Sequence, residues 1–241
     1  MNQYNPINYT GQREENIAVT QSFLSGVFMW MGIALAITAL TSWLFAGSAQ
    51  LMGLLFDAQT GSMTILGWVV MFAPLALVLL MSAGINRMSA STLLMVFVGY
   101  SILMGMSLSF IFFMYTLPSI AKTFVISTGM FGFMAILGYT TKTDLTKFGS
   151  IMFMGLIGII IASVVNVFMR SSQMDYIISF IGVLVFTGLT AYDVQKLKRI
   201  GNNVTADSES MRKMTIFGAL SLYLDFINLF LFLLRFFGNR K

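Results

Sequence analysis

The 241-residue sequence contains no cysteine, no histidine and only three prolines. Without cysteine the protein has no disulfide framework and no thiol nucleophile. Without histidine it has no imidazole base, and without either residue it lacks the usual zinc ligands. The remaining side-chain chemistry rests on nine acids, fourteen bases, hydroxyls and amides. We therefore predict that the protein is not an enzyme and has no cofactor.

Charged residues are also scarce, at 10% of the chain against 57% hydrophobic residues. The segment 16–56 contains no Asp, Glu, Lys or Arg. Its length is about twice the roughly 20 residues that an α-helix needs to cross the hydrocarbon core of a bilayer. The composition therefore indicates a membrane protein with more than one span, for which membrane lipid is the first expected partner.

Seven apolar segments have the length of a membrane-spanning helix. The segment 151–168 is apolar at consecutive positions, whereas the strands of a membrane barrel alternate. Because the connections are short, neighbouring helices must run antiparallel in one bundle. We predict an all-α membrane protein, a seven-transmembrane-helix bundle with spans at about 23–45, 64–83, 92–114, 122–140, 149–169, 177–195 and 214–237.

The predicted transmembrane domain covers residues 22–238. Residues 1–21 form a polar N-terminal tail without the basic start and cleavage site of a secretory signal, and 239–241 form a short C-terminal tail. Lys and Arg number nine on the side of the N-terminus and four on the other side. The positive-inside rule then predicts a cytoplasmic N-terminus and an outside C-terminus. Because the basic residues are scattered over many connections, we expect no nucleic-acid partner.

Two acids lie at membrane positions on neighbouring spans. Asp225 lies near the middle of the seventh span, and Asp193 lies three residues before Lys196 in the sixth. The two can approach if the sixth span extends a turn or two past Asp193. Like charges at close range cannot both ionise, so such a pair shares one proton, titrates as a unit and can sense pH. With the proton the two side chains hydrogen-bond to each other and join the sixth and seventh spans, and when both are ionised they repel. The alternative is that each carboxylate separately caps a backbone or hydroxyl group, and the sequence does not fix which protonation state opens a pathway.

The seventh span has a single polar face. Gly218, Ser221, Asp225, Asn228 and Arg235 follow the helical repeat and form one stripe on an otherwise apolar helix. Such a face must point into the bundle or line a wet cavity. We therefore predict that the last helix is central, with Ser221 and Asn228 supporting the acid.

Two carboxylates with nearby oxygen atoms suit a hard cation such as Ca²⁺. The set is sparse, so we expect Asp193 and Asp225 to bind calcium weakly during permeation. Arg87, on the same side as Asp193, is a candidate releasable counter-charge, or equally an ordinary positive-inside residue. Arg235, near the outer end, is a candidate for outer-end gating, although snorkelling to the headgroups is the simpler and favoured explanation.

Four segments resemble the Bax inhibitor family, also called transmembrane Bax inhibitor motif proteins. They are MGMSLSFIFFMYTLPSIAKTF (104–124), GYTTKTDLTKFGSIMFMGLIGIIIASVVN (138–166), FTGLTAYDVQKLK (186–198) and ALSLYLDFINLFLFLLRFFG (219–238). The last two are the most diagnostic. The short tail ending in Arg240 and Lys241 is similar to that of a bacterial member, which implies the bacterial inner membrane.

The resemblance implies a seven-helix bundle and a pH-dependent cation leak, chiefly of calcium. It implies that Asp193 and Asp225 form the di-aspartyl sensor and that Arg87 matches the latch arginine. In some relatives the arginine matching Arg235 has a glutamate partner in the second span, but this sequence has no acid between Gln59 and Arg87.

Two other functions remain open. Some bacterial relatives are described as modulators of a membrane-bound ATP-dependent protease, which implies an adaptor function and a protease partner. The Tyr192-Asp193 and Leu224-Asp225 pairs also partly resemble intramembrane aspartyl proteases, but no glycine precedes Asp225 to admit a substrate strand. The function we predict is a pH-sensitive calcium leak channel with Asp193 and Asp225 as its sensor.

Overall fold

The computed structural model describes residues 7–57, 60–203 and 208–241, with side chains from residue 17 onward in these ranges. The first six residues of the predicted N-terminal tail lie outside the described residues. In chain order the elements are α1 (Ile7–Gly47), α2 (Ala49–Leu55), β1 (Phe56–Asp57), β2 (Ser62–Met63), α3 (Ile65–Gly84), α4 (Ala90–Leu108), α5 (Ile111–Met114), α6 (Leu117–Thr140), α7 (Thr146–Met169), α8 (Ser172–Gly201) and α9 (Glu209–Phe237).

Seven segments in the described ranges are long and apolar enough to cross a membrane, which confirms the predicted all-α, seven-span architecture. We call the side with the α3–α4, α6–α7 and α8–α9 connections the N-face, because α1 begins there. The opposite side, with the β1–β2 hairpin and the end of α9, is the C-face. A hydrogen bond of 2.8 Å from Thr20 Oγ1 to Asn202 Oδ1 joins α1 to the α8–α9 connection at the N-face.

Several helices are longer than the predicted spans. Helix α1 begins at Ile7, within the segment predicted as a polar tail, and α8 extends from Ser172 to Gly201. Polar caps set such ends: Ser171 Oγ accepts from the backbone N–H of Met174, and Ser208 Oγ caps α9 in the same way. Hydropathy does not register capping hydrogen bonds, so predicted spans stop short of them.

Helix α9 lies at the centre of the bundle, as predicted, and packs against α1, α4, α6 and α8. In its most apolar stretch 67% of the residues are buried, whereas in that of α7 only 11% are. Aromatic rings fill the space around it, with the rings of Tyr100 and Tyr223 5.4 Å apart edge to face. The position of α9 places its polar stripe inside the protein.

Glycines let helices approach closely on both sides of this core. A Cβ on Gly105 would lie 2.6 Å from the carbonyl oxygen of Thr38, which fixes the spacing of α4 and α1. A Cβ on Gly138 would lie 2.2 Å from the carbonyl oxygen of Ala191, so α6 presses directly on the α8 backbone two residues before Asp193.

The C-terminal tail is paired with the α5–α6 connection at the C-face. Tyr115 and Arg240 form an antiparallel bridge. The N–H of Thr116 donates to Asn239 O at 3.2 Å, and the N–H of Lys241 donates to Met114 O at 3.0 Å. The tail is therefore fixed across the end of α9, with Arg240 at a defined position.

Candidate functional site

Asp193 is held against α9 by a hydroxyl group. Helix α8 continues for about two turns beyond Asp193 to Gly201, so this carboxylate lies well within the helix pair formed by α8 and α9. Ser221 Oγ donates a hydrogen bond of 2.5 Å to Asp193 Oδ2. This contact joins the two helices at the level where the sequence predicted the acid pair.

Asp225 lies one helical turn from Ser221 on α9. At about 1.5 Å per residue it lies roughly 24 Å along the axis from Glu209 and 18 Å from Phe237. Its side chain is 5% exposed, and in the described part of the protein Oδ2 is buried with no hydrogen-bond partner. Because Ser221 contacts Asp193, Asp225 lies one turn of α9 from the contact between the two helices. The structure thus brings the two acids together around Ser221, and we call these three residues the aspartate cluster.

The cluster differs in one respect from the expected pair. The sequence predicted a direct hydrogen bond between the two carboxyl groups, but Ser221 supplies the hydrogen bond to Asp193 instead. An unpaired carboxylate in an apolar environment costs several kcal/mol when ionised. A proton or a cation bound at Oδ2 of Asp225 would remove this cost. Binding at this atom would therefore change the energy of the cluster most.

A polar cavity of about 580 Å³ opens at the C-face between α7, α8 and α9. Its inner end reaches Asn228, which lies three residues from Asp225, or roughly 4.5 Å along the helix axis. Asn228 Nδ2 donates to Leu224 O at 2.8 Å. We call this space the arginine cavity because its lining includes three arginines; the full lining is Ser163, Asn166, Val167, Arg170, Ser171, Ser172, Asp175, Asn228, Leu231, Phe232, Arg235 and Arg240.

Arg235 lines this cavity and has an acidic partner that the sequence analysis missed. Its Nη1 lies 3.9 Å from Asp175 Oδ1, and the guanidinium lies over the Phe232 ring at 5.9 Å. The same Asp175 oxygen accepts a hydrogen bond of 2.9 Å from Asn166 Nδ2. In some relatives the partner of the matching arginine is a glutamate of the second span, whereas here the partner lies on α8. The usable signal was that Asp175 and Arg235 occupy the same end of adjacent antiparallel spans.

A second cavity, of about 470 Å³, lies at the N-face. Lys196 is part of its lining, together with Ile200 and Met214, and Lys196 lies one turn from Asp193 on α8. The aspartate cluster is therefore one helical turn from each of two cavities on opposite faces of the bundle.

Arg87 lies apart from the cluster. It is exposed in the turn between α3 and α4, and its side chain makes no hydrogen bond or ion pair with any described residue. The structure places it on the N-face, as expected, but does not bring it to Asp193 or Asp225.

Side-chain hydrogen bonds join the α6–α7 connection at the N-face to α8. Gln195 Nε2 donates to Thr143 O at 2.8 Å, and Arg199 Nη2 donates to Asp144 Oδ1 at 2.5 Å. Hydrogen bonds from the side chain and backbone of Thr146, followed by that from Arg199, lower the pKa of Asp144 to about 2. This acid is therefore ionised at any pH near neutrality.

The described residues contain no group of three or more acidic side chains that could hold a metal ion. Near the middle of the bundle the oxygen ligands for a cation would be the carboxylates of Asp193 and Asp225 with the side chains of Ser221 and Asn228. The orphaned Oδ2 of Asp225 fits such a ligand, because it has no competing partner. Two carboxylates fit a weakly held hard cation rather than a tightly bound one.

Comparison with known proteins finds related sequences along almost the whole chain. The model of the family described as "Inhibitor of apoptosis-promoting Bax1" matches residues 20–241. The chain is 50% identical to the "Inner membrane protein YbhL" of Escherichia coli over 222 residues, covering 92% of this chain and 93% of that protein. It is 43% identical to a protein of Borreliella burgdorferi, covering 95% and 97% of the two chains. It is 36% identical to YrjE of Lactococcus lactis, covering 90% of each chain.

Proposed function

The chain belongs to the Bax inhibitor family and is a multi-pass membrane protein, and from this premise we propose that it is a pH-sensitive leak pathway for calcium ions. In this proposal the aspartate cluster is both the pH sensor and the narrowest point of the ion path. The calcium ion is the transported species, and no resident cofactor takes part.

The observation that carries the proposal is the unpaired Oδ2 of Asp225, buried in the central helix beside Asp193. A buried polar atom without a partner costs about 1–3 kcal/mol, so stability alone gives no reason to keep it. A buried polar side chain that has no partner and lies close to a cavity is a candidate functional group. Because the cluster lies one turn from both cavities, a proton or cation can reach it from either face after a small movement of α8 against α9.

The pH response follows from the charge on the cluster. With a proton on one carboxyl group, α8 and α9 remain joined through Ser221 and a single negative charge. With both carboxyl groups ionised, two like charges lie close together and repel. The two states therefore favour different spacings of α8 and α9, and this spacing controls the connection between the cavities.

The composition of the cluster suits passage rather than storage of calcium. Two carboxylates attract a divalent cation, but conduction requires that the ion also leave. Arg87 is part of the proposal only as a candidate latch, which would have to move from its exposed position to meet Asp193. Arg235, paired with Asp175 at the edge of the arginine cavity, is the candidate for gating at the outer end.

We further propose that the protein lies in a bacterial inner membrane with the N-face in the cytoplasm. The excess of Lys and Arg in the N-face connections supports this orientation through the positive-inside rule. In intact cells, the cysteine of a Lys142→Cys variant should then react with a membrane-impermeant thiol reagent only after the membrane has been permeabilised. Labelling of intact cells at this position would reverse the orientation.

The experiment that tests the function is calcium flux into vesicles that contain the purified protein, measured over a range of pH. Asp225→Asn removes the titrating group but keeps the shape of the side chain. Asp144→Asn is the matched control, because it makes the same chemical change in an exposed connection. We expect flux that varies with pH in the wild type and the control, and flux independent of pH in Asp225→Asn.

The same assay separates the alternatives. An adaptor for a membrane-bound protease would show no flux in purified vesicles. An aspartyl protease would cleave a transmembrane peptide, and both Asp193→Asn and Asp225→Asn would abolish the cleavage. The geometry argues against the protease, since Asp193 accepts its hydrogen bond from Ser221 and the flanking Leu222 and Tyr223 are fully buried.

A further inference from the structure

The arginine cavity carries more positive charge than an ion path for calcium requires. Arg170, Arg235 and Arg240 line it, and Asp175 is the only acid among the described residues of its lining. Three arginines against one aspartate leave an excess of two positive charges. This excess attracts an anion, and a bound anion would remove the barrier that the charge presents to a calcium ion at the mouth.

Each arginine reaches the cavity from a different element. Arg170 ends α7 and has a left-handed backbone with φ of 52°. Arg235 lies near the end of α9, above the Phe232 ring. Arg240 lies in the C-terminal tail, which its bridge to Tyr115 fixes in place. Convergence from three elements is unlike snorkelling, in which each arginine extends separately to the lipid headgroups.

The single acid does not neutralise this group. Asp175 Oδ1 already accepts a hydrogen bond from Asn166 Nδ2 and lies 3.9 Å from Arg235. Neither Arg170 nor Arg240 forms an ion pair with any residue in the described ranges. Both guanidinium groups therefore have hydrogen-bond donors free for a ligand.

Neutral donors and a helix end add to the positive character. Ser171 Oγ accepts from the backbone N–H of Met174, which leaves its own proton free to donate. Ser163 and Ser172 also line the cavity, and the N-terminal end of α8, a partial positive charge, lies at Ser172. The cavity thus combines planar guanidinium forks with hydroxyl donors, the combination that suits a tetrahedral oxyanion.

We propose that the arginine cavity binds a phosphate group through Arg170, Arg240 and Arg235. The group is either free inorganic phosphate or the phosphate of a lipid headgroup, since the cavity opens at the level where α7 and α9 end. This site is separate from the aspartate cluster, and its existence does not depend on calcium conduction.

The test is thermal unfolding of the full-length protein in a phosphate-free detergent. The protein is titrated with sodium phosphate against sodium chloride at equal ionic strength, with dioctanoyl phosphatidylglycerol, and with dioctanoylglycerol, which lacks the phosphate. We expect phosphate or the phospholipid to raise the unfolding temperature and chloride and dioctanoylglycerol not to do so. Stabilisation by phosphate identifies the free anion as a source, and stabilisation by the phospholipid alone identifies the headgroup.

Variants show whether the effect arises in the cavity. Arg170→Gly and Arg240→Gln should each weaken binding about tenfold, the effect of losing a charge-assisted hydrogen bond. Arg170→Gly should fold, because glycine accepts the left-handed backbone better than arginine. Lys122→Gln is the control: it removes a positive charge from the exposed C-face end of α6, outside the cavity lining.

Asp175→Asn should change affinity in the opposite direction. It removes the one repulsive charge while the amide oxygen can still accept from Asn166, so phosphate should bind more tightly. Structural damage would weaken binding instead. The proposal is overturned if neither phosphate nor the phospholipid stabilises the protein, or if Lys122→Gln weakens binding as much as Arg170→Gly does.

Discussion

Two polar regions along α9 differ in the burial of their acidic groups and in whether these groups have partners. At the aspartate cluster Oδ2 of Asp225 is buried and has no hydrogen-bond partner among the described residues, while Ser221 donates to Asp193. In the arginine cavity Asp175 has both an amide donor and an arginine, and both charged groups are partly exposed. Exposed pairs of this kind cost and contribute little, whereas a buried unpaired acid is costly. The unpaired Asp225 therefore lowers the stability of the fold, whereas the pair of Asp175 and Arg235 does not.

The largest effect should come from separating α6 from α8, the helix that carries Asp193. Gly138→Ala would place a methyl group 2.2 Å from the Ala191 carbonyl oxygen, which is backbone and cannot yield by rotation. We expect the free energy of unfolding to fall by about 3 kcal/mol. Gly132→Ala on the same helix meets nothing within 4 Å and should be neutral or stabilising by up to about 1 kcal/mol.

Chemical unfolding in detergent would compare these two variants directly. The arginine cavity lies at the other end of α8, so phosphate binding should survive in whatever Gly138→Ala protein folds. Equal stability of the two glycine variants would show that α6 does not press on α8 as the structure describes.

Replacing Asp225 or Asp175 with valine should change the free energy of unfolding in opposite directions. Asp225→Val replaces an unpaired buried carboxyl group with an apolar side chain of similar size, and should raise the free energy of unfolding by about 1–2 kcal/mol. Asp175→Val leaves the buried amide of Asn166 without its acceptor and should lower it by about 1–2 kcal/mol. Destabilisation by Asp225→Val would mean that this carboxyl group has a stabilising role.

The smallest effect concerns an acid outside both regions. The pKa of Asp144 is lowered to about 2, so its contacts stabilise the folded state above about pH 4. This contribution is lost as the pH falls through about 2. Unfolding temperatures of the wild type and Asp144→Asn should therefore converge between about pH 4 and 2. A difference that changes instead near neutrality would be inconsistent with the low pKa.

The sequence was most informative about features that depend on a single helix. The long apolar stretches predicted all seven spans, and the stripe on the last span predicted that α9 is central. Contacts that depend on several elements were not accessible in the same way. The pairing of Asp175 with Arg235 was missed because Asp175 falls between the predicted spans 149–169 and 177–195, and the tail pairing at Tyr115 that positions Arg240 has no hydropathy signal.

The aspartate cluster was predicted only in part from the sequence. The depth of Asp225 followed from its position in the seventh span, and its closeness to Asp193 followed from the antiparallel order of the last two spans. The hydrogen bond of Ser221 to Asp193 depends on the rotation of α8 about its axis, which helical periodicity leaves open for a helix apolar on most sides. The proton-sharing pair of the prediction is therefore a three-residue cluster in the structure.

The central claim is tested most directly by calcium flux against pH in vesicles containing wild type, Asp225→Asn or Asp144→Asn. We predict a pH-dependent flux for the wild type and Asp144→Asn, and a pH-independent flux for Asp225→Asn, with all three proteins folded by circular dichroism. A pH profile for Asp225→Asn that matches the wild type would contradict the assignment of the aspartate cluster as the sensor.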